Sequence, residues 1–244
     1  TGCVEEYPVV HNYPYIECRD QNAGGYGDGF GTASTTGNWV FDHDVWQYNF
    51  QDGLDLLHSG MQELSVTNSL SLVKERPAYE IGSGDKVIFQ NNIAMVNCNR
   101  IAYVIGDEPS SAIVPDVVTC RAGGDWTVFN FTDVGSYTVQ NNTFVGYGAT
   151  PFDFGCEGGW DFCQNAASTY QNNLFLGYSD PLYNDGALPG LFYEDGSTMP
   201  PNQGWATRNH NIFYNTREGY CPTPLQAGES CTEDPLFISE PASP

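Results

Sequence analysis

Three acidic residues recur at one position of a short repeated motif. Asp55, Glu80 and Asp153 lie in the segments GLDLLHSG, PAYEIGSG and TPFDFGCE. If each segment is a strand in a successive turn of the chain, equivalent residues on neighbouring turns lie about 4.8 Å apart. Two carboxylates at that spacing can bind a hard cation such as Ca²⁺ or share a proton as an acid–base pair. We therefore predict a metal site at Asp55, Glu80 and Asp153, with Glu80 also a candidate catalytic residue.

The face on which these carboxylates lie depends on how the motifs align. A further segment, IAYVIGDE, places Val104 between Glu80 and Asp153. The flanking columns are predicted to face inward; they are Tyr79, Tyr103 and Phe152, and Ile81, Ile105 and Phe154. Asp55 joins the outward column only if the adjacent turn is one residue longer, and otherwise it aligns with Tyr79. Because an inward carboxylate is costly, we expect Asp55 to face outward.

Basic residues gather near this motif although the chain has only eight. Asp28, Asp52, Arg76 and Arg100 recur at one constant interval along the chain, and Lys74 is close by. One interpretation is a ladder of ion pairs along one edge, with Asp52 beside Arg76. The other makes Arg76, Arg100 or Lys74 the base or substrate clamp, because guanidinium binds carboxylate through two parallel hydrogen bonds.

Histidine and tryptophan residues add candidates. His58 follows Asp55 by three residues and is either an acid, base or metal ligand, or a hydrogen-bonded turn residue. Trp126 and Trp160 lie in the predicted loops 106–136 and 155–168. Long insertions commonly line the binding face of a solenoid. We therefore predict that both tryptophans bind substrate.

A Gln-Asn-Asn triplet marks the repeat that positions these residues, and it begins at Gln90, Gln140 and Gln171. Related segments extend the column of the second polar residue, which comprises Asp44, Ser69, Asn92, Asn142, Asn173 and Asn211. The successive spacings are 25, 23, 50, 31 and 38, and we interpret the interval of 50 as two turns. Stacked asparagines pass hydrogen bonds between turns, so this column is a predicted structural ladder. His43 and His210 lie in or beside it and are assigned structural roles.

Short strands separated by Gly, Asn and Asp turns cannot bury an apolar face alone, but stacked turns can. Turns that re-enter in one direction give parallel sheets with right-handed coiling. The sequence therefore predicts an all-β, right-handed parallel β-helix of about 7–9 coils with turns of about 24 residues, an Asn ladder and loop insertions. The predicted organisation is a disulfide-closed capping segment (1–15), the β-helix domain (16–240) and a C-terminal tail (241–244).

The runs NNTF, NNLF and HNIFYN, with the closing DPLF at Asp234–Phe237, resemble the right-handed parallel β-helix superfamily. That superfamily includes pectate lyases, chondroitinase-like and alginate-lyase-like proteins, and phage tailspikes. The resemblance covers residues 16–240 and is specific for architecture rather than activity. It implies Ca²⁺ held by acidic residues on an outer sheet face, where the cation neutralises a uronate carboxylate. It also implies an Arg or Lys base, for which Lys74, Arg76 and Arg100 are the candidates.

One departure from these relatives concerns the end of the coil. Many relatives begin with an amphipathic helix that plugs the coil, and the stretch TGCVEEYPVVHNYPY does not have that pattern. We expect the disulfide-closed segment, a partner or a further region to cover that end.

Charge and cysteine content restrict partners and compartment. Thirty acidic and eight basic residues give a net charge of −22, which repels nucleic acids and anionic membranes. The same charge disfavours acidic polysaccharides unless a divalent cation or a basic patch mediates. Eight cysteines fit an oxidising compartment, and pairing sequence neighbours gives Cys3–Cys18, Cys98–Cys120, Cys156–Cys163 and Cys221–Cys231. We expect a secreted protein, extracellular or periplasmic, with its signal peptide removed and no membrane span.

Two hypotheses follow. The first is a secreted β-helix enzyme that acts on a polysaccharide as a lyase, epimerase or hydrolase. The second is a non-catalytic extracellular protein that is structural or adhesive, or an accessory subunit with protein partners in a larger assembly. Enzymatic activity stays open at this point, because the sequence has no complete catalytic signature.

Overall fold

The computed structural model describes residues 5–10, 13–17, 28–32, 35–49, 52–56, 60–73, 78–82, 84–96, 125–131, 135–146, 150–156, 167–177, 192–194, 206–214 and 225–231. These ranges contain strands and turns and no helix, which confirms the all-β prediction. It follows that none of them contains a helix able to cross a membrane.

Most strands of the described ranges belong to three parallel sheets, each with six described strands. Sheet I contains β4 (Thr36–Asp42), β7 (Gly60–Thr67), β10 (Gly84–Gln90), β13 (Ser136–Gln140), β16 (Ala167–Gln171) and β19 (Ala206–Asn209). Sheet II contains β5 (Val45–Asn49), β8 (Leu70–Val73), β11 (Ile93–Val96), β14 (Thr143–Gly146), β17 (Leu174–Gly177) and β20 (Ile212–Tyr214). Sheet III contains β3 (Phe30–Gly31), β6 (Leu54–Leu56), β9 (Tyr79–Ile81), β12 (Asp125–Phe131), β15 (Thr150–Cys156) and β18 (Phe192–Glu194). A separate antiparallel hairpin joins β1 (Glu5–Val10) to β2 (Tyr13–Glu17).

Each coil of the chain contributes one strand to each sheet and stacks on the coil before it. In every sheet the strands therefore stand in chain order, and neighbours pair in parallel. This arrangement is consistent with the predicted parallel β-helix, in which a coil buries its apolar side chains only against its neighbours.

Alternation along each strand separates an apolar interior from an outer face. In β7, Leu64 and Val66 are fully buried while the side chains between and beside them are partly exposed. On sheet II the interior is a stack of phenylalanines, with ring centroids 5.1 Å apart for Phe144–Phe175 and 4.9 Å for Phe175–Phe213. Each buried ring contributes about 1.5–3 kcal/mol relative to exposure, so the stack is a main source of cohesion between coils.

A buried asparagine ladder holds the turn between sheets I and II. Its members Asn92, Asn142, Asn173 and Asn211 are at most 1% exposed. The Oδ1 atom of each accepts a hydrogen bond of 2.9–3.0 Å from the backbone N–H of the ladder residue one coil earlier. The Nδ2 atom of each donates to a backbone carbonyl on that earlier coil at 2.8–3.1 Å. The predicted ladder is therefore confirmed, and it satisfies backbone groups that burial would otherwise leave unpaired.

The three residues of the Gln-Asn-Asn triplet have three different roles. The glutamines form an outer ladder, in which Gln90 Nε2 donates to Gln140 Oε1 at 3.2 Å and Gln140 Nε2 donates to Gln171 Oε1 at 3.4 Å. The first asparagine is exposed and left-handed, as Asn141 shows with φ 56°. The second is the buried ladder member. His43 and His210, which were expected in or beside the ladder, occupy the left-handed position of their own coils, with φ 61° and 54°.

One interval was misinterpreted at the sequence level. Gln90 pairs directly with Gln140, and β10 is hydrogen-bonded to β13 with no strand between them. The interval of 50 residues between Asn92 and Asn142 is therefore one coil with a long insertion, not two coils. The insertion is about as long as a repeat, so spacing alone could not distinguish it from an additional coil.

A carboxylate ends the asparagine ladder. The Nδ2 atom of Asn211 donates to Glu229 Oε1 at 3.0 Å, and Gln226 N donates to Glu229 Oε2 at 2.8 Å. Arg208 forms an ion pair with the same carboxylate at 3.5 Å, and the Glu229 side chain is fully buried. Glu229 thus occupies the place that the next asparagine would take, a role that the sequence did not reveal.

Candidate functional site

The backbone register confirms the alignment that brings Asp55 beside Glu80. The two residues pair directly across β6 and β9. Leu54 and Leu56 are fully buried while Asp55 is half-buried, so Asp55 faces outward as expected.

The next member of the column differs from the prediction. Val128, not Val104, pairs with Glu80 and with Asp153, because β12 follows β9 in sheet III. Thr127 and Phe129 take the flanking places predicted for Tyr103 and Ile105, two residues that lie outside the described ranges. The error has the same origin as the misinterpreted interval, since IAYVIGDE lies in the insertion.

Glu80 corrects a second expectation, because its side chain is not open to solvent. It is only 4% exposed, and Tyr79 and Ile81 on the other face are fully buried. Both sides of the sheet are therefore shielded from solvent at this coil. Alternation predicts the face that a side chain takes, but not whether that face is covered.

The structure instead gathers three aspartates at the start of sheet III. Carboxylate oxygens of Asp28, Asp52 and Asp55 all lie within 4.8 Å of one another. Asp52 is fully buried, whereas Asp28 and Asp55 are half-buried. We call these three residues the acidic cluster.

Local backbone contacts bring the acidic cluster together. The N–H of Asp52 donates to Asp28 Oδ1 at 3.1 Å, and Gly29 N donates to Asp52 O at 2.9 Å. Gly53 follows Asp52 at a close approach, where a Cβ would collide with Ser71 Oγ and the Ala78 carbonyl. Glycine is therefore required where the chain turns from Asp52 into β6.

The register also bears on the predicted column Asp28–Asp52–Arg76–Arg100. Phe30 pairs with Leu54, and Leu54 pairs with Tyr79. The interval from Leu54 to Tyr79 is therefore one residue longer than the interval from Phe30 to Leu54. Because of this additional residue, the pairing register does not place position 76 beside Asp52. Asp28 and Asp52 join Asp55 instead, a grouping that the sequence reasoning missed.

The remaining predicted site residues are untested by this structure. Lys74, Arg76, Arg100, His58 and Trp160 lie outside the described residues. Trp126 lies in β12 rather than in a loop, which corrects the loop boundary. The cysteines Cys3, Cys18, Cys98, Cys120, Cys163 and Cys221 also lie outside the described ranges, so the four pairings and the domain boundaries stay predictions.

Other polar groups near the turns have a structural setting. Asp42 Oδ1 accepts hydrogen bonds from Thr67 Oγ1 at 2.6 Å and Asn68 Nδ2 at 2.7 Å. These bonds, with one to His43, lower the pKa of Asp42 to about 2. Burial raises the pKa of the Tyr79 and Tyr170 hydroxyls, so both stay neutral and belong to the core.

No family model, curated protein or solved structure matches this chain. The chemistry of the acidic cluster and the fold that holds it are therefore the grounds for assigning a function.

Proposed function

We propose that this chain is a secreted, right-handed parallel β-helix protein that binds Ca²⁺ at the acidic cluster and, through that cation, an acidic polysaccharide. The proposal keeps the carbohydrate-related function expected from the sequence. It moves the metal site from Asp55, Glu80 and Asp153 to Asp28, Asp52 and Asp55.

The separation of the three carboxylates is the observation that supports this proposal. Oxygens that bind one Ca²⁺ at 2.3–2.6 Å lie at most about 5 Å apart, so mutual distances within 4.8 Å suit a shared cation. Like charges this close repel strongly where water is excluded. A cation among the three side chains would remove that repulsion.

The donor set favours Ca²⁺ over Mg²⁺. Ca²⁺ accepts six to eight oxygen ligands in flexible geometry, whereas Mg²⁺ demands a near-ideal octahedron. Three carboxylates from two neighbouring coils give an irregular set. They leave about three to five positions for water or for a ligand's carboxylate. The half-buried Asp28 and Asp55 give such a ligand an approach that the fully buried Asp52 does not.

A bound cation would also offset the repulsion between this acidic chain and an acidic polysaccharide. A chain with a net charge of −22 repels a polyuronate at long range. Ca²⁺ held by the acidic cluster can coordinate uronate carboxylates directly, as the resemblance to polysaccharide lyases implies. Lyase activity would further require a base, for which Lys74, Arg76, Arg100 and His58 remain the candidates.

A non-catalytic role is the second candidate, and the burial of Asp52 favours it. A cation bound to a fully buried carboxylate is bound tightly to the fold, and it stabilises the native state because the unfolded chain has no such site. The protein would then be an extracellular structural or accessory subunit that uses Ca²⁺ for stability.

Calorimetric titration with Ca²⁺ tests the site directly. We expect one Ca²⁺ to bind the wild type and the affinity to fall at least tenfold in Asp28→Asn and in Asp55→Asn. Asp85→Asn is the matched control, because it removes the same charge from an exposed residue outside the cluster. Equal Ca²⁺ affinity in all four proteins would overturn the site.

Sedimentation with alginate and polygalacturonate then separates the two candidates. Binding that requires Ca²⁺ and is lost on adding EDTA supports the polysaccharide proposal. An increase in absorbance near 235 nm would indicate lyase activity in addition to binding, because β-elimination creates an unsaturated uronate. Ca²⁺ binding without any polysaccharide retention would leave the structural role.

A further inference from the structure

The outer face of sheet I carries a patch without charge. Its outward residues on β13, β16 and β19 are in register from strand to strand. They are Ser136, Thr138, Gln140, Ala167, Thr169, Gln171, Thr207 and Asn209. All are partly or fully exposed, and none is acidic or basic. We call these eight residues the hydroxyl–amide face.

Such a patch is unexpected in a chain with thirty acidic residues. Soluble globular domains consist of about 25% charged residues on average, whereas this face has none. On the preceding strands of the same sheet, by contrast, outward residues are charged, and Lys86 Nζ lies 2.9 Å from Glu63 Oε1. The acidic residues behind the net charge of −22 therefore lie outside these eight positions.

The face is also rigid. The glutamine ladder through Gln90, Gln140 and Gln171 fixes these amides against each other at 3.2 and 3.4 Å. Threonine is β-branched, so Thr138 and Thr169 have restricted χ1 rotation. Groups that are already ordered lose little entropy when a ligand binds.

The side chains of this face are both donors and acceptors of hydrogen bonds. A carboxamide has two N–H donors and an oxygen with two lone pairs, and a hydroxyl both donates and accepts. The ladder uses one donor and one acceptor of Gln140, whose side chain is partly exposed. Hydroxyls and amides thus repeat about every 4.8 Å along the coil axis.

We propose that the hydroxyl–amide face binds an uncharged polysaccharide that lies along the stack of coils. Sugar hydroxyls both donate and accept hydrogen bonds, so they match the two groups that this face repeats. A neutral chain requires no counter-charge, and the face offers none. An acidic polymer would require a cation or a basic group, and the eight residues provide neither.

This inference does not depend on the proposed function, because it concerns another sheet and another class of sugar. The acidic cluster lies on sheet III and binds its ligand through Ca²⁺, whereas the hydroxyl–amide face requires no metal. EDTA therefore distinguishes the two sites in one binding assay.

Glutamate substitutions in the full chain test the face. Thr138→Glu and Thr169→Glu place a charge at the centre of the hydroxyl–amide face. Thr143→Glu is the matched control, since Thr143 is a partly exposed threonine of the same coil on sheet II, beside the buried Phe144. Circular dichroism and the melting temperature verify that all three variants are folded.

The binding assay uses cellulose, chitin and soluble mixed-linkage β-glucan, each in EDTA. We expect the wild type and Thr143→Glu to bind at least one of these polymers with equal affinity. Thr138→Glu and Thr169→Glu should each weaken that binding at least tenfold. Retention by none of the polymers would overturn the proposal, as would equal binding by all variants. Shaping of ice crystals by the wild type without binding of any polymer would also overturn it, and would assign the face to ordered water.

Discussion

At the scale of single residues, Asp42 shows how hydrogen bonds in an exposed turn lower the pKa of a carboxyl group. Thr67, Asn68 and His43 all hydrogen-bond to it, and Thr67 has the largest effect. Hydrogen bonds to the charged form stabilise it, which is why the pKa falls from 3.8 to about 2. A group with a lowered folded pKa contributes stability above its unfolded pKa. That contribution is lost as the pH falls from about 4 to about 2.

Asn68→Gly should raise the pKa of Asp42 toward its ordinary value. Asn68 has φ 53°, which glycine adopts freely, so the substitution removes the amide donor without straining the backbone. Side-chain carboxyl shifts followed by NMR between pH 1.5 and 6 measure the change. Asp42→Asn should in turn weaken the acid dependence of the melting temperature. An Asp42 pKa near 2 in Asn68→Gly would contradict this account.

At the scale of the element, the buried asparagine of the turn between sheets I and II contributes much more to the stability of the fold than the exposed one does. Asn142→Ala removes an acceptor for Asn92 N at 2.9 Å and a donor to the Phe89 carbonyl at 2.9 Å. Each of the two buried groups left unsatisfied costs about 1–3 kcal/mol, so we expect a loss of about 2–6 kcal/mol. Asn141→Gly is the matched control and should stay within about 0.5 kcal/mol, because glycine keeps its left-handed conformation.

Urea unfolding followed by circular dichroism measures both variants. Equal destabilisation by Asn141→Gly and Asn142→Ala would mean that the ladder does not distinguish the two asparagines. Reversal of their order would contradict the assigned roles more directly.

The turn also shows what the sequence can predict. The polar triplet and the strand after it are local patterns, so the ladder and the parallel stacking were both predicted from residue types. Three features required long-range information. The insertion after β11 has the length of a repeat, Glu80 is buried although it lies on the outer face, and Asp28 lies close to Asp55 on the neighbouring coil. None of these is encoded in the spacing of the residues concerned.

At the scale of the whole molecule, the net charge and the stacking of coils have opposite effects on the stability of the fold. A net charge of −22 opposes compaction by self-repulsion, while stacked coils hold the chain together by burial between neighbours. Acidic residues are therefore best tolerated where water or a cation reduces their field. The hydroxyl–amide face has no charged residue, so the repulsion arises from other parts of the surface.

Thr207 allows this long-range field to be measured, because it lies exposed on the hydroxyl–amide face and its described neighbours on that face, Thr169 and Asn209, are uncharged. Thr207→Lys should melt at a higher temperature than Thr207→Glu in 0.01 M salt, where the screening length is about 30 Å. A difference of about 1 kcal/mol corresponds to roughly 2–4 °C in a domain of this size. The gap should narrow in 0.15 M salt, where the screening length falls to about 8 Å. Melting in EDTA excludes a contribution from bound Ca²⁺. Equal melting temperatures in low salt would show that the field of the acidic residues does not reach this face, whereas a gap unaffected by salt would indicate a local contact.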